Sequence, residues 1–217
     1  MQVRSLLSIA AVSIAASVAA WAQGAPAVTL PPSPAGQAAV QLGGTWDKGG
    51  EGGQRYRDGK WVVVDYGRPL LRGRQNIFGG PADYGQRVMD GSPIWRAGAN
   101  DTTRLTTQAP LQIGGKSIKP GVYSVFVDLK PGNWTFVLST QPVQEKYDPN
   151  DKVKLYGAYN YDAKFEVLRA PMTVKPSDMS VEQFTIAFMN VTENRATLAM
   201  SWEKTLATID LTLDGAK

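Results

Sequence analysis

A period-two alternation of apolar and polar residues runs, with short interruptions, from Trp61 to Leu213, and it limits the chain to a fold built of strands. Side chains alternate faces only in an extended chain, so each alternating run marks a strand with one buried face. Val122–Leu129 puts Tyr123, Val125, Val127 and Leu129 on one face and Ser124 and Asp128 on the other. Asn133–Thr140 does the same with Trp134, Phe136 and Leu138, and later runs with Phe184, Ile186 and Phe188, then Leu198, Met200 and Trp202. Ile209, Leu211 and Leu213 close the series. Turn chemistry sits between the runs, at Gly114-Gly115, Lys119-Pro120-Gly121, Pro131-Gly132-Asn133 and Thr192-Glu193-Asn194. Phe165–Val174 is a strand broken at Pro171, hence an edge or a bulge. Trp46–Lys60 reads as an early turn-rich hairpin, and one helical turn is expected near Ser177–Glu182.

About eight to ten short strands at this spacing predict an antiparallel β-sandwich, jelly-roll-like, with a closed β-barrel as the alternative. A chain of 217 residues supports one domain with a substantial core. The inward Trp and Phe residues are read as core, not as a sugar-stacking platform, and Trp202 is expected to lie between the sheets.

The N-terminus has a different character. Met1–Arg4 is basic, Leu6–Ala20 is apolar, and Ala20-Trp21-Ala22 supplies a small-residue cleavage pattern. Residues 1–22 are therefore expected to be a secretory signal peptide, with an apolar run too short to span a bilayer. Residues 23–44, with Pro26, Pro31, Pro32 and Pro34, are expected to be a Pro/Ala-rich linker, and 45–217 the β-sandwich domain. The expected location is periplasmic or extracellular, without a lipid anchor on cysteine and without a membrane span.

Composition removes whole classes of chemistry. Cysteine and histidine are both absent, which excludes thiol nucleophiles, Ser-His-Asp catalysis and His- or Cys-ligated metals. A formal charge of +4 without a Lys/Arg block gives no nucleic-acid footprint. No metal or cofactor is expected. Oxygen-bearing residues gather at Asp148-Pro149-Asn150-Asp151, but their spacing is that of a solvated turn and not of an EF-hand loop.

Function is expected between Asp65 and Asp101, where arginines, glycines and aspartates concentrate. Arg68, Arg72, Arg74 and Arg96 sit in Gly/Pro-rich corners beside Asn100 and Asp101, and these six are the candidate ligand-binding residues. Guanidinium groups bind carboxylate or phosphate bidentately, so converging arginines would make an anion site. The competing reading is structural, with the arginines paired to Asp65, Asp83, Asp101 or Glu203. The expected function is a cell-envelope binding or structural module, with an anionic small molecule, a glycan or an envelope protein as partner. The alternative is a hydrolase of an envelope polymer or glycan that draws a carboxylate pair from Asp65, Asp83, Asp90 and Asp101. Catalytic residues are not assigned.

Several motifs occur in one order: DYGRPLLRGR from Asp65 with IFGG, IWRAGAND from Ile94, IGGKSIKPGVYSVF from Ile113, NWTFVL, GAYNYD and SWEKT. In these the chain resembles a bacterial exported family, domain of unknown function family 2911, over about Trp61 to Leu213. The resemblance implies an exported β-rich domain with no established activity and no catalytic residues to carry over. The chain departs from the family pattern in a longer Gln86–Pro93 and in Asp101, where the family has Glu.

Overall fold

In a computed structural model, residues 29–50 and 52–215 are described. The expected signal peptide lies outside them. Two antiparallel sheets face each other across one core, and neither closes into a barrel. The first sheet has six strands in the order β1 (Ala35–Leu42), β4 (Lys60–Gly67), β5 (Arg104–Thr107), β8 (Gly121–Asp128), β9 (Thr135–Ser139) and β10 (Glu166–Pro171). The second orders β11 (Thr173–Met189), β12 (Arg195–Leu213), β6 (Leu111–Ile113) and β7 (Lys116–Ile118). A two-stranded hairpin, β2 (Thr45–Trp46) and β3 (Tyr56–Arg57), stands where the early hairpin is expected.

The alternation dictates which face is buried. Val62, Val64, Leu105, Val125, Phe136 and Leu138 point inward from the first sheet, toward Phe184, Ile186, Leu198, Met200 and Trp202 from the second. The chain changes sheet at Met172, immediately after Pro171, whose missing N–H makes it a natural strand end. A smaller cluster, Ile94, Phe126, Val137, Leu155 and Ala158, packs on the opposite face of the first sheet.

β12 turns back on itself. The core between the sheets takes the even positions Ala196, Leu198, Met200 and Trp202 before Glu203, and the odd positions Ala207, Ile209 and Leu211 after it. Glu203 takes a left-handed backbone (φ 50). Leu213 N donates to Asn194 O, and Thr197 Oγ1 to Asp210. The two halves therefore run antiparallel about a tip at Glu203. β11 bends around that tip, pairing Thr185–Met189 with the first half and Thr173–Pro176 with the second.

Two expectations are corrected. Ala35–Leu42, expected as the end of a linker, forms edge strand β1 and pairs with β4 along its whole length. Its small side chains suit a strand backed by Val62 and Val64, although they carry little hydrophobic signal of their own. Ser177–Glu182, expected as a helical turn, lies inside β11 where pairing is interrupted between Pro176 and Val181. Wrapping the hairpin tip requires a path that regular helix would not follow. Among the described residues, helix is confined to α1 (Gln86–Met89) and a 3-10 turn at Ala163–Phe165. No described helix is long and apolar enough to cross a membrane.

Candidate functional site

At the end of the sandwich where β4 stops, the long connection from Pro69 to Thr103 folds over the open core. Its apolar residues complete an aromatic cluster. Phe78 lies 4.8 Å from Trp134, and Trp95 lies 5.1 Å from Phe184 and stacks on Trp202 at 6.4 Å with an interplanar angle of 10°. Trp95 also exchanges both backbone hydrogen bonds with Val127, continuing the sheet beyond the start of β5. Trp95 thus makes a single bridge, after which the chain turns.

A cleft of about 380 Å³ opens beside this cluster. Three arginines line it, Arg74, Arg87 and Arg96, together with one carboxylate, Asp90, and the aromatic groups of Trp95, Trp202, Tyr156 and Tyr159. The guanidinium groups are oriented mainly by neutral acceptors. Arg74 donates from Nε to Leu71 O (2.9 Å) and from a terminal nitrogen to Leu70 O (2.5 Å), with its Cζ 5.9 Å from the centre of the Trp202 ring. Arg96 is buried; it donates to Asn100 O (3.0 Å), and its Cζ lies 5.4 Å from the Tyr159 ring. Arg87 reaches Gln75 O at 3.4 Å. Asp90 approaches Arg96 at 3.8 Å and accepts from the Tyr159 hydroxyl at 3.1 Å, but its side chain is 69% exposed. Three guanidinium groups against one carboxylate leave a net charge of +2 in a cleft with aromatic walls.

The cleft is anchored from the opposite sheet. The Glu203 carboxylate at the β12 tip accepts from the backbone N–H groups of Asn76 (2.6 Å) and Ile77 (2.9 Å), which fixes the loop carrying Arg74. Trp202, beside it, is buried with its indole N–H unpartnered.

Of the six residues singled out by sequence, Arg74, Arg96 and Asn100 meet here. Asn100 contributes its carbonyl to Arg96, and its side chain ties down the incoming chain at Ser33 O (3.0 Å). Asp101 falls on the far side of the Ala99-Asn100 turn, in a neighbouring cleft of about 440 Å³ with Asp65, Arg104 and Glu145. It does not orient a guanidinium; Asp90 and the Asn100 carbonyl do that for Arg96. Arg68 lies across Gly36 with its Nε buried and unpartnered. Arg72 sits at an exposed corner, its backbone N–H bonded to Glu182. None of the four carboxylates considered as structural partners binds an arginine side chain among the described residues. Asp65 accepts from Gln37, Asp83 from Gly80 N, and Glu203 from the two backbone groups above.

Sequence reasoning missed Arg87, Tyr156, Tyr159 and Trp202 as lining residues, and considered Asp90 only as one carboxylate of a hydrolase pair. Arg87 and Asp90 come from Gln86–Pro93, the segment that departs from the family pattern, and that departure was the available signal.

Other polar clusters are structural. Asp148 and Asp151 accept from backbone N–H groups, and those of Lys154 and Val153 hold the Asp151 carboxyl below its ordinary range. No group of three or more acidic residues suited to a metal ion occurs among the described residues. Burial and the hydrogen bond to Glu166 push the Tyr161 hydroxyl above its usual range, but this group belongs to a network with Arg169 and Asp128 that lies outside the clefts.

A family model described as "Protein of unknown function (DUF2911)" matches residues 53–211. No curated protein and no solved structure matches the chain.

Proposed function

As this chain belongs to the DUF2911 family, which brings no activity with it, we propose from the site itself that the arginine cleft binds a small organic anion. The carrying observation is that Arg74 and Arg87 are oriented by backbone carbonyls alone, and Arg96 by a carbonyl and the exposed Asp90, which leaves a net charge of +2 uncompensated. A guanidinium bonded to a neutral carbonyl keeps its full attraction for an anion, whereas one bonded to a carboxylate does not. The aromatic walls favour a ligand that joins a carboxylate or phosphate to a flat apolar body. The cleft has only one lining carboxylate, so the acid and base pair of a hydrolase has no second member there. The reading is a binding module.

Titration of the protein with phenyl phosphate and with inorganic phosphate tests it. Phenyl phosphate is expected to bind more tightly, and more weakly as salt is raised. Arg74→Ala and Arg87→Ala should each weaken binding by about tenfold, the scale of one lost charge-assisted hydrogen bond. Asp90→Asn should strengthen it by removing the opposing charge. Failure of either phosphate to bind, or affinity indifferent to both arginines, would remove the proposal.

Export is part of the same reading, motivated by the basic start, apolar run and Ala20-Trp21-Ala22 pattern. The mature protein is expected to begin at Gln23. N-terminal sequencing of secreted material decides this, and an intact Met1 in a membrane fraction would contradict it.

A further inference from the structure

At the opposite end of the sandwich, where β1 ends at Leu42, the β2–β3 hairpin and the β11–β12 turn enclose a groove of about 630 Å³. Trp46 and Tyr56 form one wall, with ring centres 5.3 Å apart and planes at 58°. Gln41, Thr45, Thr192 and Glu193 supply polar side chains around it, and Val191 adds an apolar contact.

The wall is built, not incidental. The Tyr56 hydroxyl accepts from Gly44 N (2.8 Å), and a Cβ at either Gly44 or Gly59 would stand 2.6 Å from the Tyr56 ring. Both positions thus leave room for the ring to lie flat. Gly43 N donates to Glu193 O (2.6 Å), joining the two sides of the groove. Trp46 is nevertheless 65% exposed, while Trp95, Trp134 and Trp202 are buried. An indole held in the open over a preformed groove presents an apolar face to a ligand.

We infer that this groove is a second binding site, for neutral hexose units of a polysaccharide. Sugar rings combine C–H faces, which stack on aromatic rings, with hydroxyls that bond to amide, hydroxyl and carboxylate groups. Both kinds of partner line the groove. Among the described residues no Lys or Arg does, and Glu193 repels anions, so the occupant carries no negative charge. Among the described residues, the segment before β1 does not reach it. Ser33 and Pro34 are bonded at the arginine end, to Asn100 and to the Arg68 N–H.

The test is calorimetric titration of the protein with cellohexaose, maltohexaose and mannohexaose, with tryptophan fluorescence alongside. At least one is expected to bind, with a blue shift from Trp46. Trp46→Ala should weaken it by about tenfold or more, the effect of removing a central aromatic contact, without moving the thermal midpoint. Trp46→Phe should retain part of the affinity, and Arg74→Ala should leave it unchanged, which separates this site from the anion cleft. The inference is overturned if none of the three binds, or if binding survives Trp46→Ala. It is also overturned if Trp46→Ala changes the sedimentation of the protein, because a second copy then fills the groove.

Discussion

Trp202→Ala is expected to lower the unfolding free energy by about 3–5 kcal/mol, the cost of emptying a large aromatic site in a core. The residue is 3% exposed, packs against both Trp95 and Phe184, and meets Phe78 at 6.1 Å. Its loss leaves a void beside Phe184 of β11 and Trp95, whose backbone is bonded to β8, so collapse around it is limited. Trp202→Phe is the informative companion. It removes an indole N–H that is already buried without a partner, and keeps most of the volume. That change should cost under about 1.5 kcal/mol. Urea denaturation of both variants is the measurement. A loss below about 1 kcal/mol for alanine would mean that the β12 tip is not packed as described.

Gly67→Ala should destabilise by about 3 kcal/mol, the upper end of what overpacking usually costs. Gly67 needs no unusual backbone angle, so the objection is purely steric. A Cβ there would collide with the Ala99 carbonyl oxygen and stand 2.8 Å from the carbonyl carbon. Backbone cannot swing aside as the end of a side chain can. The gain from restricting the unfolded chain, about 0.4–1 kcal/mol, is too small to offset this. Because Ala99 leads into Asn100, the same substitution should displace the carbonyl that orients Arg96 and weaken phosphate binding. Denaturation and titration of one variant test both parts. A variant with near-native stability would show that the turn does not rest on β4.

The sandwich was legible because period two survives in nearly every strand. Where it was not, the reason is local. Ala35–Leu42 reads as linker because alanine and glutamine carry little burial signal, and its partner strand β4 supplies the apolar face. Ser177–Glu182 has no pattern of its own, since its path is set by the β12 tip that it wraps. The site was half legible. Arg74 and Arg96 stand in corners that sequence marks with glycine and proline, so their role as candidates was visible. Trp202 is more than a hundred residues away from both, and its place beside Arg74 depends on β12 reversing at Glu203. Asp101, and not Asp90, stood among the carboxylate partners expected for the arginines. The left-handed backbone at Asn100 sends the chain across the ridge instead, into the other cleft.

The neutral acceptors beneath the arginines also bear on entropy. Immobilising a long side chain at a binding interface costs about 0.5–1.5 kcal/mol. For Arg74, held at two nitrogens, and Arg96, buried against Asn100, that freedom is already gone when the chain folds. An incoming anion therefore meets two guanidinium groups that have no further disorder to lose. Arg87, on a single 3.4 Å bond, is the arginine that still has to settle when the cleft is filled.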